Sequence, residues 1–297
     1  MKTPAAEVEI TEVLVRHLLE TQFPQLAHLP LQYLNEGWDN VIFQLGSAYL
    51  IRLPRRSIAV PFIEKEQTWL SKLNSLLSIP IPAPVHQGKP LDEYPWPWSI
   101  TPWFTGRMAA EETLKNTEAG RLARFLATLH GHELTEIPPH NPSRATPLAT
   151  KAEGTEQRLK AFIEQGKTVP RLQVLWESAV QLDCPPEERS LIHGDLHPKN
   201  MITDQGRIAA IIDWGDLTLG DPATDLAAFW LLFAEERVRE QALAEYGVSP
   251  NMRMRAIGWA IFFSTILLDI GLNSNDPLFI QVGQDGLDHL AETPVPT

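Results

Sequence analysis

Cysteine is almost missing from this sequence: Cys184 is the only one in 297 residues. No disulfide can form within the chain, which excludes the stapled framework of a small secreted domain and fits a reducing, cytoplasmic setting. Long apolar runs are missing too. The best candidate, Ile257 to Leu268, falls short of the roughly 20 residues that a bilayer crossing needs and reads as a buried helix. The first residues carry Glu7, Glu9 and Glu12 where a secretion signal would be apolar, so no such signal is expected. A basic surplus is also lacking, since 25 Lys and Arg stand against 37 Asp and Glu and the formal net charge is −12. That balance argues against nucleic acid as a partner and leans toward a cationic small molecule. No internal repeat or low-complexity tract is seen, and a monomer is expected, the oligomeric state being left open by the sequence. A hydrophobic content of 43% suffices for a sizeable core in one large domain or two lobes.

What is present concentrates in LIHGDLHPKNMITDQGRIAAIIDWGD, residues 191 to 216. An apolar pair leads into His193-Gly194-Asp195, and Asn200 follows five positions after Asp195. Met201 to Thr203 and Ile208 to Ile212 are short β-type runs, and Asp204-Gln205-Gly206-Arg207 between them carries turn chemistry, which predicts a hairpin. In an antiparallel hairpin the start of one strand faces the end of the other, so Asn200 and Asp213 are expected side by side. Asp195 is brought to the same rim by the loop before Asn200. Each of these residues alone is an ordinary turn or cap residue. Together their spacing matches the phosphoryl-transfer arrangement, in which a loop Asp takes the hydroxyl proton while an Asn and a second Asp hold Mg²⁺. Three hard oxygen donors suit that ion.

At these residues the chain resembles a known family. HGDLHPKN followed by IIDWGDLTLGDPATDLA is similar to the signature of the aminoglycoside phosphotransferase family, small-molecule relatives of the protein kinases. The resemblance implies an α+β, bilobal, protein-kinase-like fold. A small N-terminal lobe over residues 1–102, an antiparallel sheet plus helix, would bind nucleotide and end in a hinge; a larger, mainly helical lobe over residues 103–297 would carry the catalytic hairpin. It implies ATP or GTP as donor, Mg²⁺ at Asn200 and Asp213, and Asp195 as the group facing the acceptor hydroxyl. It also implies that Asp225 hydrogen-bonds the catalytic-loop backbone.

The same resemblance gives roles to the N-terminal half. An amphipathic helix over Ile10 to Glu20 precedes β-type runs at Leu31 to Leu34, Val41 to Leu45 and Ala48 to Leu53. The turn around Gly37, Trp38, Asp39 and Asn40 can cover phosphates with backbone N–H groups, although a plain hairpin turn would look the same. Arg52 stands where kinases carry a phosphate-pairing lysine, and Pro54-Arg55-Arg56 follows it, as in macrolide-phosphorylating relatives. Arg52 could equally be a solvated strand-end charge. A helix from Ile63 to Leu76 offers Glu66, or else Glu64, as its carboxylate partner. The proline-rich stretch Ile79 to Trp98 cannot be helical. It leads to Thr101, Pro102 and Trp103, a hinge whose backbone pairs with a nucleotide base in kinase-like folds.

Farther on, Thr117 to His130 has helical spacing, with Thr117 as N-cap and His130 as a structural histidine. Residues 133–147 read as a loop insertion. Helices are expected over Lys151 to Gln165, Leu172 to Leu182, Leu226 to Arg239 and Met252 to Leu272. Glu235, Glu236, Asp269 and Asp276 could meet ammonium groups or simply face solvent. The acid balance favours an aminoglycoside-type acceptor over a macrolide or a metabolic amino alcohol or sugar. Arginine at position 52 is the one feature that favours an idle nucleotide-binding module.

Overall fold

The computed structural model describes residues 5–37, 39–133 and 136–294; Trp38, at the tip of the expected phosphate-covering turn, lies outside them. Two compact units divide the chain, Met1–Leu76 with Pro80–Thr105, and Leu77–Ile79 with Gly106–Thr297.

The first unit begins with α1 (Glu12–Gln22), whose N-cap Thr11 accepts from the Leu14 N–H at 3.2 Å. Three strands follow: β1 (Leu31–Glu36), β2 (Asn40–Leu45) and β3 (Tyr49–Pro54). Val41, Phe43 and Leu45 are buried along β2 while their neighbours are only partly so, the two-residue period of a sheet with one face in a core. Helix α2 (Val60–Leu73) comes next, then β4 (His86–Gly88) and β5 (Trp98–Pro102). The five strands form one antiparallel sheet in the order β1-β2-β3-β5-β4. Val15 and Leu18 of α1 pack on its Phe43, Ile51 and Trp98. Helix α2 starts and stops earlier than its apolar stripe suggests. Pro61 sits in its first turn, where a missing N–H costs nothing, and Asn74 closes it, so Leu76 is exposed rather than part of the buried face.

The second unit opens with β6 (Arg107–Met108), α3 (Thr117–His130), α4 (Ala152–Glu164) and α5 (Arg171–Ala179). Asn116, not Thr117, is the cap position of α3, and no side chain caps it. Strand β7 (Ser190–Ile192) pairs with β10 (Thr218–Gly220), and between them β8 (Met201–Asp204) and β9 (Arg207–Ile211) make the expected hairpin, extended by β6. Its turn puts Gln205 (φ 52°) and Gly206 (φ 73°) in left-handed conformations, the requirement of a tight two-residue hairpin turn. The continuous helix expected over 226–239 is broken into α6 (Ala223–Leu226), α7 (Ala228–Leu232) and α8 (Glu236–Tyr246). Phe233 is extended, and its carbonyl accepts from buried Arg239 at 2.8 Å, so a side chain replaces the helical bond there.

Helix α9 (Pro250–Ser274) is long and apolar enough to cross a membrane by length and composition, but 72% of its most apolar window is buried inside the fold. It packs on α10 (Pro277–Ala291), a helix the sequence reading does not anticipate. Small residues make that contact close: a Cβ on Gly283 would lie 2.4 Å from the Leu268 nitrogen. Glycines that let backbones meet also erase the apolar period by which such a helix is read.

Candidate active site

The site in the second unit is built on the β8–β9 hairpin. The Ile212 N–H donates to the Asn200 carbonyl at 2.9 Å, so Asn200 and Asp213 occupy adjoining strand ends as antiparallel pairing requires. From outside, α3 holds the hairpin: Glu118 accepts from the Ile208 N–H at 3.0 Å, and Arg121 donates to the Ile208 carbonyl at 2.7 Å.

The loop entering the hairpin is fixed by a buried carboxylate. Asp225, 0% exposed, accepts the His193 N–H at 2.7 Å and the Gly194 N–H at 2.8 Å. His130 lies 3.1 Å from the same carboxylate and 2.9 Å from the Tyr246 hydroxyl. Burial pushes the Asp225 carboxyl up, but His130, His193 and the Gly194 amide outweigh it and hold the group below the usual carboxylate range. His193 takes the Asp195 N–H on Nδ1 at 3.2 Å and turns Nε2 to the Ile212 carbonyl at 3.0 Å. These two ring contacts tie the loop to the end of the hairpin.

Asp195 therefore sits at a fixed place, and its carboxylate is held at both oxygens. Oδ2 accepts from the Asn200 amide at 3.1 Å and lies 3.5 Å from His197 Nε2; Oδ1 accepts from Arg144 Nη2 at 2.5 Å. Burial raises its carboxyl, and the His197 hydrogen bond and charge, followed by Arg144 and His193, pull it down further, so it ends well below the usual range. A carboxylate stabilised this far is a weak base and a strong orienting acceptor.

The Asp195 oxygens are acceptors only, so the NH₂ end of Asn200 must face them. The Asn200 carbonyl oxygen is thereby turned away from Asp195. Asp213 has a left-handed backbone (φ 62°, ψ 68°) and is exposed, and among the described residues its carboxylate makes no hydrogen bond or ion pair. A non-glycine residue in that region is uncommon, and such strain gathers at functional positions. One neutral oxygen and one free carboxylate at the same rim form a hard donor set of the type that holds Mg²⁺ together with waters and phosphate oxygens. The described residues contain no cluster of three or more His, Cys, Asp or Glu placed to hold a metal by themselves.

In the first unit, Arg52 Nη1 donates to Glu66 Oε2 at 2.7 Å, with Glu66 3% exposed and Arg52 14%. Glu64 faces solvent. The turn before β2 is closed by the Gly37 N–H, which donates to the Asn40 carbonyl at 2.8 Å. Arg55 donates to the Gly37 carbonyl at 3.2 Å, and Arg56 pairs with Asp39 at 2.7 Å. The two arginines after Pro54 thus brace the turn, and the Gly37 N–H is spent within it. In the hinge segment, the Trp103 N–H donates to the Ala48 carbonyl at 2.8 Å, and the buried Thr101 hydroxyl reaches the Leu50 carbonyl at 3.5 Å. The backbone N–H of Trp103 is thus spent within the sheet edge.

Two of the four acidic candidates, Glu235 and Asp276, are engaged structurally. Glu235 accepts from Asn116, and Asp276 caps α10 and pairs with Lys199 at 2.9 Å. Asp221, in Gly220-Asp221-Pro222 of the quoted signature, is bound by buried Arg255 at 2.9 Å. Arg144 and Asn141, which surround the Asp195 carboxylate or its partners, carry no sequence signal beyond an Asn two residues before a Ser, whereas Asp216 ends the central stretch without a role assigned from sequence.

Comparisons with known proteins agree with this architecture. The "Uncharacterized protein YcbJ" of Bacillus subtilis (strain 168) is 27% identical over 231 residues, 72% of this chain and 73% of that protein. Hygromycin-B 4-O-kinase of Escherichia coli is 38% identical over 78 residues, 24% of this chain and 23% of the kinase. The solved GDP complex of aminoglycoside 2'-phosphotransferase-IIIa superposes with a TM-score of 0.66 at 20% identity, covering 95% of this chain and 99% of that one. The fold is thus the protein-kinase-like one, and the model of the phosphotransferase enzyme family matches residues 30–257. The chain belongs to the phosphotransferase enzyme family.

Proposed function

We propose that this phosphotransferase moves the γ-phosphoryl group of a nucleoside triphosphate, ATP or GTP, to a hydroxyl of a small molecule in the presence of Mg²⁺. The observation that carries the reading is the held Asp195 carboxylate at the rim where Asn200 and Asp213 also end. Asp195 accepts the hydrogen bond of the acceptor hydroxyl and aims its oxygen at the γ-phosphorus. The new O–P bond forms as the bond to the bridging oxygen of the diphosphate breaks, and the hydroxyl proton passes to Asp195. Phosphoryl transfer has a loose transition state, so orientation and charge neutralisation matter more than base strength. Asn200, through its carbonyl oxygen, and Asp213 would hold Mg²⁺, which when bound neutralises charge on the phosphate oxygens. Arg52, anchored by Glu66, supplies positive charge for the nucleotide's phosphates in place of the usual lysine.

An aminoglycoside-type acceptor is favoured, on the names of the relatives and the net charge of −12. A macrolide acceptor is the second reading, supported by Arg52 with Pro54-Arg55-Arg56. The test is a thermal-shift series with ATP and GTP, each with and without Mg²⁺. It is followed by a mass-spectrometric screen for phosphoryl addition to aminoglycosides, macrolides and amino alcohols. Metal-dependent nucleotide stabilisation and one phosphorylated class are expected. Nucleotide binding with no product in any class would point to an idle module and overturn the reading.

A further inference from the structure

The Asp195 carboxylate is gripped by a side chain from a distant loop. Arg144, 51 residues upstream, donates Nη2 to Asp195 Oδ1 at 2.5 Å and Nε to Asp216 Oδ2 at 2.8 Å. The bridge has its own support. Asn141 Nδ2 donates to the other Asp216 oxygen at 2.7 Å, and Asn141 Oδ1 accepts the N–H groups of Ser143 (2.8 Å) and Arg144 (3.2 Å). The guanidinium lies 5.4 Å from the centre of the Phe263 ring. Its stem passes over Gly194, where a Cβ would come within 3.2 Å of Arg144 Cγ and 2.9 Å of the Asp216 carbonyl. Glycine at that position, already at φ +85°, is what lets the arginine reach the carboxylate. Burial opposes the charge on Arg144, but Asp195 and Asp216 outweigh it and hold the guanidinium firmly protonated.

We propose that Arg144 is a positioning residue for phosphoryl transfer: together with Asn200 it fixes both oxygens of Asp195, and Asp216 with Asn141 holds Arg144 in place. The inference rests on the phosphotransfer reading above. A carboxylate held at one oxygen only can rotate about its last bond; held at both, it keeps one plane. Each carboxylate oxygen has two lone-pair sites, so Oδ1 still accepts an acceptor hydroxyl beside the Arg144 N–H. The planar fork is what serves both carboxylates at once, and an ammonium group cannot reproduce it.

The test compares wild type with R144M, D216N, the double variant and D195A. Each is assayed for Mg²⁺-dependent ATP and GTP hydrolysis, with water in place of the acceptor, and for transfer to any acceptor found by the screen. Nucleotide KM and melting temperature are read alongside. R144M should lower kcat about 10²-fold, the scale of a misplaced reacting group, with nucleotide KM unchanged; in a further variant, R144A, dissolved guanidinium should restore part of the lost kcat. Because Asp216 acts through Arg144, the double variant should be no slower than R144M alone. R144K, which keeps the charge and loses the fork, is read in the same way where R144M does not fold. Wild-type kcat in folded R144M with D195A inactive would overturn this inference alone, as would kcat losses that multiply in the double variant. A wild-type chain that neither hydrolyses nor transfers would overturn the phosphotransfer reading and this one with it.

Discussion

Two arginine–carboxylate pairs of similar length, Arg52–Glu66 at 2.7 Å and Arg144–Asp195 at 2.5 Å, are built in opposite senses. In the first the carboxylate is the more deeply buried member, 3% exposed, and the arginine is the member presented outward. In the second the carboxylate is 24% exposed and the arginine 17%, and the arginine is tied to a further carboxylate behind it. In each pair the less exposed member, Glu66 or Arg144, is the holder, and under the proposed function the more exposed one, Arg52 or Asp195, meets the ligand. Under the proposed function the first unit would present a cation to a nucleotide phosphate and the second an anion to an acceptor hydroxyl.

The comparison can be broken at the deepest anchor. Asp225→Ala removes the buried partner of two backbone amides and His130, and should cost about 3–5 kcal/mol, the range for an orphaned buried charge partner. Denaturant unfolding measures it, and a loss below 1 kcal/mol would contradict the role given to this carboxylate. Glu66→Ala removes a buried carboxylate partner of Arg52 and should cost about 3 kcal/mol, the low end of the same range because Arg52 keeps some water. It should also raise the nucleotide KM while leaving kcat largely intact, the reverse of the split expected for Arg144→Met. Gly194→Ala sharpens the contrast at smaller cost: a side chain at φ +85° should cost about 1–3 kcal/mol and lower kcat by pushing on the Arg144 stem.

The smallest effect is expected at Cys184. Burial, then Asp221, push its thiol up to about 12. Almost none of it is thiolate at pH 8, and the fraction rises as pH climbs toward that value. Alkylation of the native chain should be slow at pH 8, faster with each unit of pH, and much faster once the chain is unfolded. Rapid labelling of the folded chain at pH 8 would contradict this.

The pieces legible in the sequence are the ones whose partners are close in the chain. Asp195, Asn200 and Asp213 fall within nineteen positions that carry their own turn and strand signals; hairpin pairing brings Asn200 and Asp213 together, and Asp195 follows on the short loop before them. The antiparallel sheet of the first unit is legible for the same reason, through the alternation of Val41, Phe43 and Leu45. The remainder depends on contacts made across long separations. Nothing local marks Arg144, which meets its partners 51 and 72 residues away, and its loop has no period to read. Helix α10 is hidden by the glycines that seat it on α9. The break between α7 and α8 depends on Arg239 reaching back to the Phe233 carbonyl, a bond no propensity encodes.

The central claim, that Asp195 directs the acceptor hydroxyl while other residues hold the nucleotide, is tested most directly by one titration followed by one rate. Mg²⁺-nucleotide affinity and single-turnover phosphoryl transfer are measured for wild type and Asp195→Ala side by side. Equal affinity with transfer lost in the variant is expected; transfer by Asp195→Ala at the wild-type rate would contradict this role of Asp195.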